Sequence, residues 1–573
     1  MARPRLGRVR RPTASAAAVL ALVLLATLLV ACSSGGDAPA AAVTLVVGGR
    51  IWTADAKQPW ADALAYDDEG VILAVGTEDE VSRQVGEADE VVELDGELVL
   101  PGFQDAHVHV PEAGINENLC LLPPGRDLAT YVRLVADCAA DVPEGQWVRA
   151  AGASLFGLRG TTPTPLAALD AAVPDHPVVV LDDLGHAAWG NTAGLTAAGI
   201  TASTPDPQGG IVARDRRTGE LTGLLLEDAQ QPLRNASAPS PDEVDAGLRV
   251  AMDELARNGV TTVSDVGGYW QQGHTEAWLR AAAADELTVR AVNALYVYPS
   301  LDLEDQLAEL GSRFRDDPDD LLQIDTAKIY VDGILDLGTA QLLAPYDDPP
   351  DPRFPRGFGY FAEEQLTSYV ARLHAMGFRI SFHVIGDAAV RRALDAVAAI
   401  PADRAEVAGR HHRLTHTYLV DPADVPRFAE LGVVADFQVG EESTDLAYLD
   451  DLSEIIGDRA YDLIPVDTLA DSGALTILSS DWDADLLSPL GIISRALTRE
   501  AHPLPDAETA ARMLTIDAAT ALGMGDRTGS LEAGKKADFV VLSDDIFTLD
   551  PAEIADVEVL STTVDGVEVF RAD

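Results

Sequence analysis

Lysine is almost absent from this chain of 573 residues: it occurs only as Lys57, Lys328, Lys535 and Lys536, so arginine carries nearly all the positive charge. Positive charge as a whole is scarce. Forty-one lysines and arginines face 93 aspartates and glutamates, a formal net charge of −52. Such a surface repels nucleic acid and anionic lipid headgroups, so no nucleic-acid partner is expected. Cysteine is limited to Cys32, Cys120 and Cys138. The chain is too long for one ordinary core, although a (β/α)8 barrel with insertions can occupy most of it.

What is present begins with a targeting pattern. Arg3, Arg5, Arg8, Arg10 and Arg11 precede the apolar run AAAVLALVLLATLLV, which ends in LVAC and a polar SSGGD segment. The pattern resembles a bacterial lipoprotein signal over residues 1–31, with Leu29, Val30 and Ala31 before the cleavage point and Cys32 as the lipidated residue. An uncleaved membrane anchor and a plain secretory signal are the alternatives; the small residue before Cys32 and the tail after it favour cleavage. The expectation is an exported protein held on the extracytoplasmic face of the cell membrane through Cys32. Removing residues 1–31 takes away five arginines and no acid, so −52 becomes −57. Cys120 and Cys138 then remain, either as a disulfide or as two buried thiols.

Residues 32–42 read as a flexible tether. From 43 to 100, VTLVVGGRIWT, ADALAYDDEGVILAVG and DEVVELDGELVL alternate apolar residues with Gly and Asp turns, and SLEAGKKADFVVLSDD and VEVLSTTVDGVEVF repeat the texture within 525–573. Strands at both ends are expected to join in one small composite β-sandwich. Between them, over 101–524, eight β-rich runs alternate with helical segments: PGFQDAHVHV, GVTTVSDVG, VRAVNALYV, IDTAKIYVDG, FRISFHVIG, HRLTHTYLV, VVADFQVG and LTILSSDW. Eight is the number a closed parallel (β/α)8 barrel needs, and the fold class is α/β. A large insertion, about 111–250, follows the first run. It holds WVRAAG, PVVVLDD and a hairpin, GGIVARDRRTGELTGLLLE, turning at Thr218-Gly219. Leaving from the C-terminal end of the first strand, it is either a lid over the barrel mouth or scaffolding.

Barrel active sites are built at the C-terminal ends of strands. There the first run places His107 and His109, the fourth Lys328, the fifth His383, the sixth His416 and the eighth Asp481. One histidine at a strand end is ordinarily structural and one aspartate ordinarily a helix cap. Their joint placement is what points to a divalent-metal site, because neutral imidazole and carboxylate suit zinc and related ions. Lys328 sits inside an apolar strand, where an unpaired ammonium is costly and burial favours the free amine. It is either a carbamate-forming lysine bridging two metals or a cation paired with Asp325 or Asp332. His186, in DLGHAAWGN, is divided between substrate contact and structure. His176, His274, His374, His411, His412 and His502 read as structural or surface residues.

Together PGFQDAHVH, the strand lysine, HVIGDAA, RLTH, SSDW and GSLEAGKKADFVVL resemble the metal-dependent amidohydrolase superfamily, in its branch of N-substituted formamide deformylase-like and YtcJ-like proteins. The resemblance covers everything after the tether. It implies a barrel with one or two divalent ions, expected to be Zn2+: His107, His109 and Asp481 on the more buried one, and carbamylated Lys328 bridging to a second held by His383 and His416. It also implies that Asp481 accepts the proton of the attacking water. Thr415, Val439 and Asp483 depart from the branch pattern, and none removes a ligand. The expected activity is hydrolysis of an amide-type C–N bond, possibly of an N-substituted formamide, because the leaving nitrogen needs the proton that Asp481 can deliver. Deamination, ester hydrolysis or isomerisation on the same site, and a non-catalytic envelope solute-binding lipoprotein, are the alternatives.

Overall fold

The computed structural model describes residues 42–440 and 444–572. The export signal, Cys32 and the tether up to residue 41 lie outside the described residues.

Eight strands follow one another in a parallel sheet: β1 (Phe103–Val108), β2 (Val260–Gly268), β3 (Arg290–Tyr296), β4 (Leu322–Tyr330), β5 (Arg379–Val384), β6 (Arg413–His416), β7 (Val434–Gln438) and β8 (Thr476–Ser479). Nearly every residue in them is buried, which is what helices on the outside and packed side chains within demand of a parallel barrel. The ring comes round where Asp481 N donates to His107 O at 2.8 Å and His109 N to Trp482 O at 2.6 Å. Closure is therefore made by the very segments that carry His107, His109 and Asp481. The helices are those the 3.6-residue pattern predicts. Glu363–Ala375 buries Leu366, Tyr369, Val370 and Leu373, and Asp387–Ala398 buries Val390, Ala393, Leu394 and Val397. Each large apolar side chain so buried contributes roughly 1.5–3 kcal/mol.

The two chain ends meet in the composite β domain expected of them, its strands hydrogen-bonded as an eight-stranded sheet. Leu98–Pro101 pairs antiparallel with Phe539–Leu542 and parallel with the end of Val43–Trp52. Val43–Trp52 also pairs with Glu90–Glu93 along its first half. The register break between Val47 and Ile51 lets one strand serve both partners, and apolar side chains pack on each face of the sheet. Pro101 ends this sheet, and Phe103 begins the barrel two residues later.

Between β1 and β2 a second, six-stranded sheet runs from Cys120–Leu121 to the hairpin Gly210–Arg214/Leu221–Glu227. Its edge strand is tied to the helix Leu128–Ala139 by a Cys120–Cys138 disulfide with Cα atoms 6.1 Å apart. The helix Pro241–Arg257, opened by a Ser240/Glu243 capping box, leads into β2 and so belongs to the barrel. It crosses the helix Val110–Asn116 at Gly247 and Gly114, where a Cβ on Gly114 would overlap the Gly247 carbonyl. Only glycine allows that approach, and it fixes the helix leaving His109 against the barrel wall. No helix of the described residues is long and apolar enough to cross a membrane.

Candidate metal centre

All six expected side chains meet at the C-terminal mouth. His107 Nε2 lies 3.2 Å and His109 Nε2 3.4 Å from Asp481 Oδ1, and His416 Nδ1 lies 3.8 Å from Asp481 Oδ2. Lys328 Nζ sits 3.1 Å from His107 Nε2. The His416 ring packs edge-on to His107 and His383, with centroids 4.7 and 4.4 Å away. One ligand atom each from His107, His109 and Asp481 falls within 4.8 Å of the others, the compactness a single ion requires. Backbone strain gathers at the same mouth: His416, Thr417 and Asp481 have φ of 71°, 50° and 62°. Side chains tolerate this conformation at a cost of about 1–3 kcal/mol each when surrounding structure imposes it.

Burial sets the protonation states. It lowers His107 and His383 well below the ordinary imidazole range, helped at His107 by Lys328 and at His383 by His416, and takes His416 to about 3. The Asp481 carboxyl is held well below the usual range, because His107 and His109 outweigh its burial. Burial also draws the Lys328 amine down to about 7. Neither expected carboxylate partner reaches that lysine. Asp325 is taken by Arg379, and Asp332 accepts the backbone N–H groups of Gln341, Ile385 and Gly386 at 2.7–3.0 Å.

The residues that aim these groups carry no sequence signature. Asp105 Oδ1 accepts the N–H groups of His107 (3.2 Å) and Ser480 (3.1 Å), joining the two ligand-bearing strands. Asp265, within β2, accepts from Val110 N, Gly267 N, Trp278 Nε1 and Asn293 Nδ2 and fixes the turn after His109. A Cβ at Gly267 would press on His109 Nδ1 at 2.9 Å, so the glycine makes room for that ring. Glu112, 3.9 Å from His109 Nδ1, is paired with the buried Arg234. Tyr330 stacks on His383 at 4.4 Å.

The insertion supplies one wall. A recess of about 500 Å3, open mouth included, is lined by His109, His383, His416 and Asp481 from the barrel and by Asp182 and His186 from the insertion. This favours the lid over plain scaffolding. His186 Nδ1 bonds Glu227 Oε2 at 2.6 Å, and its ring lies 4.9 Å from His383. Glu227, with φ of 55°, also accepts from Tyr360 OH (2.5 Å) and Thr339 Oγ1. Of the other histidines, His374 and His412 bond each other at 3.0 Å, His502 pairs with Asp462 and Asp467, and His274 and His411 bond the carbonyls of Gly267 and Thr520. Asp483 lines the recess and takes Asn116 Nδ2, whereas Thr415 Oγ1 turns to the Phe382 carbonyl.

Residues 90–570 match the model of the amidohydrolase family. N-substituted formamide deformylase of Arthrobacter pascens is 29% identical over 552 residues, covering 91% of this chain and 97% of its own. The YtcJ protein of Bacillus subtilis (strain 168) is 28% identical over 543 residues, covering 91% and 98%. Among solved structures, an uncharacterized metal-dependent hydrolase of Pyrococcus horikoshii OT3 superposes with a TM-score of 0.70 at 21% identity, over 89% of this chain and 99% of that one. This likeness shows the same fold.

Proposed function

The chain belongs to the amidohydrolase family, and from that premise we propose that it hydrolyses an amide-type C–N bond of a small molecule with a divalent metal, zinc by its donor set. The observation that carries this is the convergence of His107, His109 and Asp481 with Lys328, His383 and His416. The buried Nδ1 atoms of His107, His109 and His383 have no hydrogen-bond partner, and a buried nitrogen left so costs about 1–3 kcal/mol. His107, His383 and His416, kept neutral by burial, together with His109 and the ionised Asp481, are a donor set that a divalent cation fits.

His107, His109 and Asp481 would hold one ion; His383 and His416 would hold a second, with Lys328 as a carbamate between them. When bound, such an ion supplies Lewis-acid polarisation of a carbonyl and makes water acidic near neutral pH. The chain's own residues do the rest. Asp481 is ionised and accepts the proton of the attacking water on a carboxylate oxygen, then returns it to the leaving nitrogen, without which an amine cannot depart. Glu227, bonded to His186 Nδ1, raises the pKa of that imidazole against its burial, so the protonated ring donates Nδ1–H to Glu227 and keeps Nε2–H on its opposite edge for a substrate oxygen. The insertion forms one wall of the recess through Asp182 and His186. The Arthrobacter relative names the first substrates to try, N-substituted formamides.

Purified protein is expected to contain divalent metal and to hydrolyse an N-substituted formamide or another amide, to lose that turnover on chelation and to regain it with zinc. Protein without metal and without metal-stimulated turnover would overturn the reading. We also propose export and lipid anchoring through Cys32. Cys32→Ser should move the protein out of the membrane fraction, and a variant still sedimenting with membranes would refute the anchor.

A further inference from the structure

A second cleft, of about 1710 Å3 with its open mouth included, opens between the insertion hairpin and the loop around Pro350 to Arg353, and it shares no lining residue with the recess at the histidines. Five arginines line it: Arg159, Arg214, Arg216, Arg217 and Arg353. In a chain whose acids outnumber its bases 93 to 41, a guanidinium finds a carboxylate easily. Arg353 does so, on Asp351 at 2.8 Å and on Asp206 at 3.0 Å. The other four do not follow suit.

Arg159 donates to the Leu337 carbonyl at 3.1 Å and has its carboxylate neighbour, Asp351, only at 4.0 Å. Arg214 donates to the Thr204 carbonyl and Arg216 to that of Pro350. Among the described residues no carboxylate pairs with Arg214, Arg216 or Arg217. Arg214 Nη1 is buried without a hydrogen-bond partner. The acids of the cleft are already engaged. Asp215 accepts from Arg217 N (2.9 Å) and Thr218 N (2.7 Å) in its own hairpin turn, Asp206 from Val212 N (2.9 Å) and Arg353, and Asp351 from Arg353. Burial lowers the pKa of Arg159, Asp351 opposes that shift, and the facing charges of Arg216 and Arg353 add to it.

We propose that this cleft binds a small oxyanion carrying at least two negative charges, a phosphate or a dicarboxylate. Planar guanidinium forks match the paired oxygens of either group, and several converging on one cavity neutralise more than one charge. A cationic cleft on so acidic a molecule also gathers such anions where the rest of the surface turns them away. The site spans the insertion and the barrel loop, so its ligand cross-links the two.

Calorimetric titration of the mature protein at low ionic strength, with inorganic phosphate in one arm and succinate in the other, tests this. Saturable binding of one anion per chain is expected in at least one arm, and the arm that binds identifies the class. Arg216→Gln/Arg217→Gln should weaken it about tenfold or more. Both side chains are exposed, and an unchanged melting temperature of the ligand-free variant shows that the fold survives. No saturable heat in either arm overturns the proposal. So does binding of equal strength in the variant, which would place the anion elsewhere, the histidine mouth included.

Discussion

At the scale of single residues, Lys328 bears the heaviest demand. It is fully buried, its Nζ contacts an imidazole rather than a carboxylate, and neither Asp325 nor Asp332 relieves its charge. If it acts as a carbamate between two ions, Lys328→Ala should lower kcat by at least about 100-fold with little loss of fold, and a short carboxylate such as acetate should restore part of the rate. Undiminished turnover would leave a one-metal site. This residue and the four histidines were legible in the sequence because scarce residue types stood at strand ends, and Asp481, of an abundant type, only through its place at the end of the eighth run. Their supports were not: Glu112 meets Arg234 122 residues away, and Tyr360 meets Glu227 across 133, contacts that no local pattern encodes. His412 gives a second test at this scale. Its burial and the nearby His374 and Arg410 hold it at about 3 against an ordinary value near 6.5. The unfolded chain therefore takes up a proton below pH 6.5 that the folded chain refuses until about pH 3. Stability contributed here is complete above pH 6.5 and is lost at about 1.4 kcal/mol per pH unit on the way down. Thermal unfolding of His412→Asn should depend less steeply on pH across that window than the parent does. Parallel pH curves for the two proteins would show that this histidine does not titrate on unfolding.

At the scale of elements, the eight barrel strands were legible because parallel strands covered on both faces must be apolar throughout, and the turn at Thr218-Gly219 because glycine is placed where φ reaches 76°. The joining of the chain ends in one β domain was legible from the strand texture at both termini. The register break within Val43–Trp52 was not, because it depends on pairing partners distant in the chain. The pairing of Cys120 with Cys138 was left open by composition and is made by position: a short edge strand faces the last turn of the following helix. The bond closes a segment with a sequence separation of 18, for which loop-closure entropy assigns about 3 kcal/mol. Cys120→Ser/Cys138→Ser should destabilise the insertion by about that amount, seen as earlier proteolysis and hydrogen exchange within 111–240 while the barrel stays protected. Loss of protection in barrel and insertion alike would mean that the two unfold as one unit.

At the scale of the whole molecule, charge and architecture pull in opposite directions. The barrel and the terminal sheet are held by buried apolar area, which salt leaves largely intact, whereas the chain as a whole carries 93 acids against 41 bases. Exposed ion pairs such as Arg249 with Glu286 and Arg372 with Glu304 contribute about 0–1 kcal/mol each and weaken as ions screen them. Self-repulsion among the many unpaired carboxylates weakens under the same screening, with the opposite effect on stability. The acids so outnumber their partners that repulsion should prevail. Raising salt from about 0.01 M to about 0.5 M, which contracts the screening length from roughly 30 Å to a few ångström, should therefore raise the melting temperature of the protein. Sodium chloride is the proper agent, since sulfate would strengthen apolar burial as well and could enter the arginine cleft. A melting temperature that falls with sodium chloride would mean that the ion pairs outweigh the repulsion and that the acidic surface is matched locally despite its net charge.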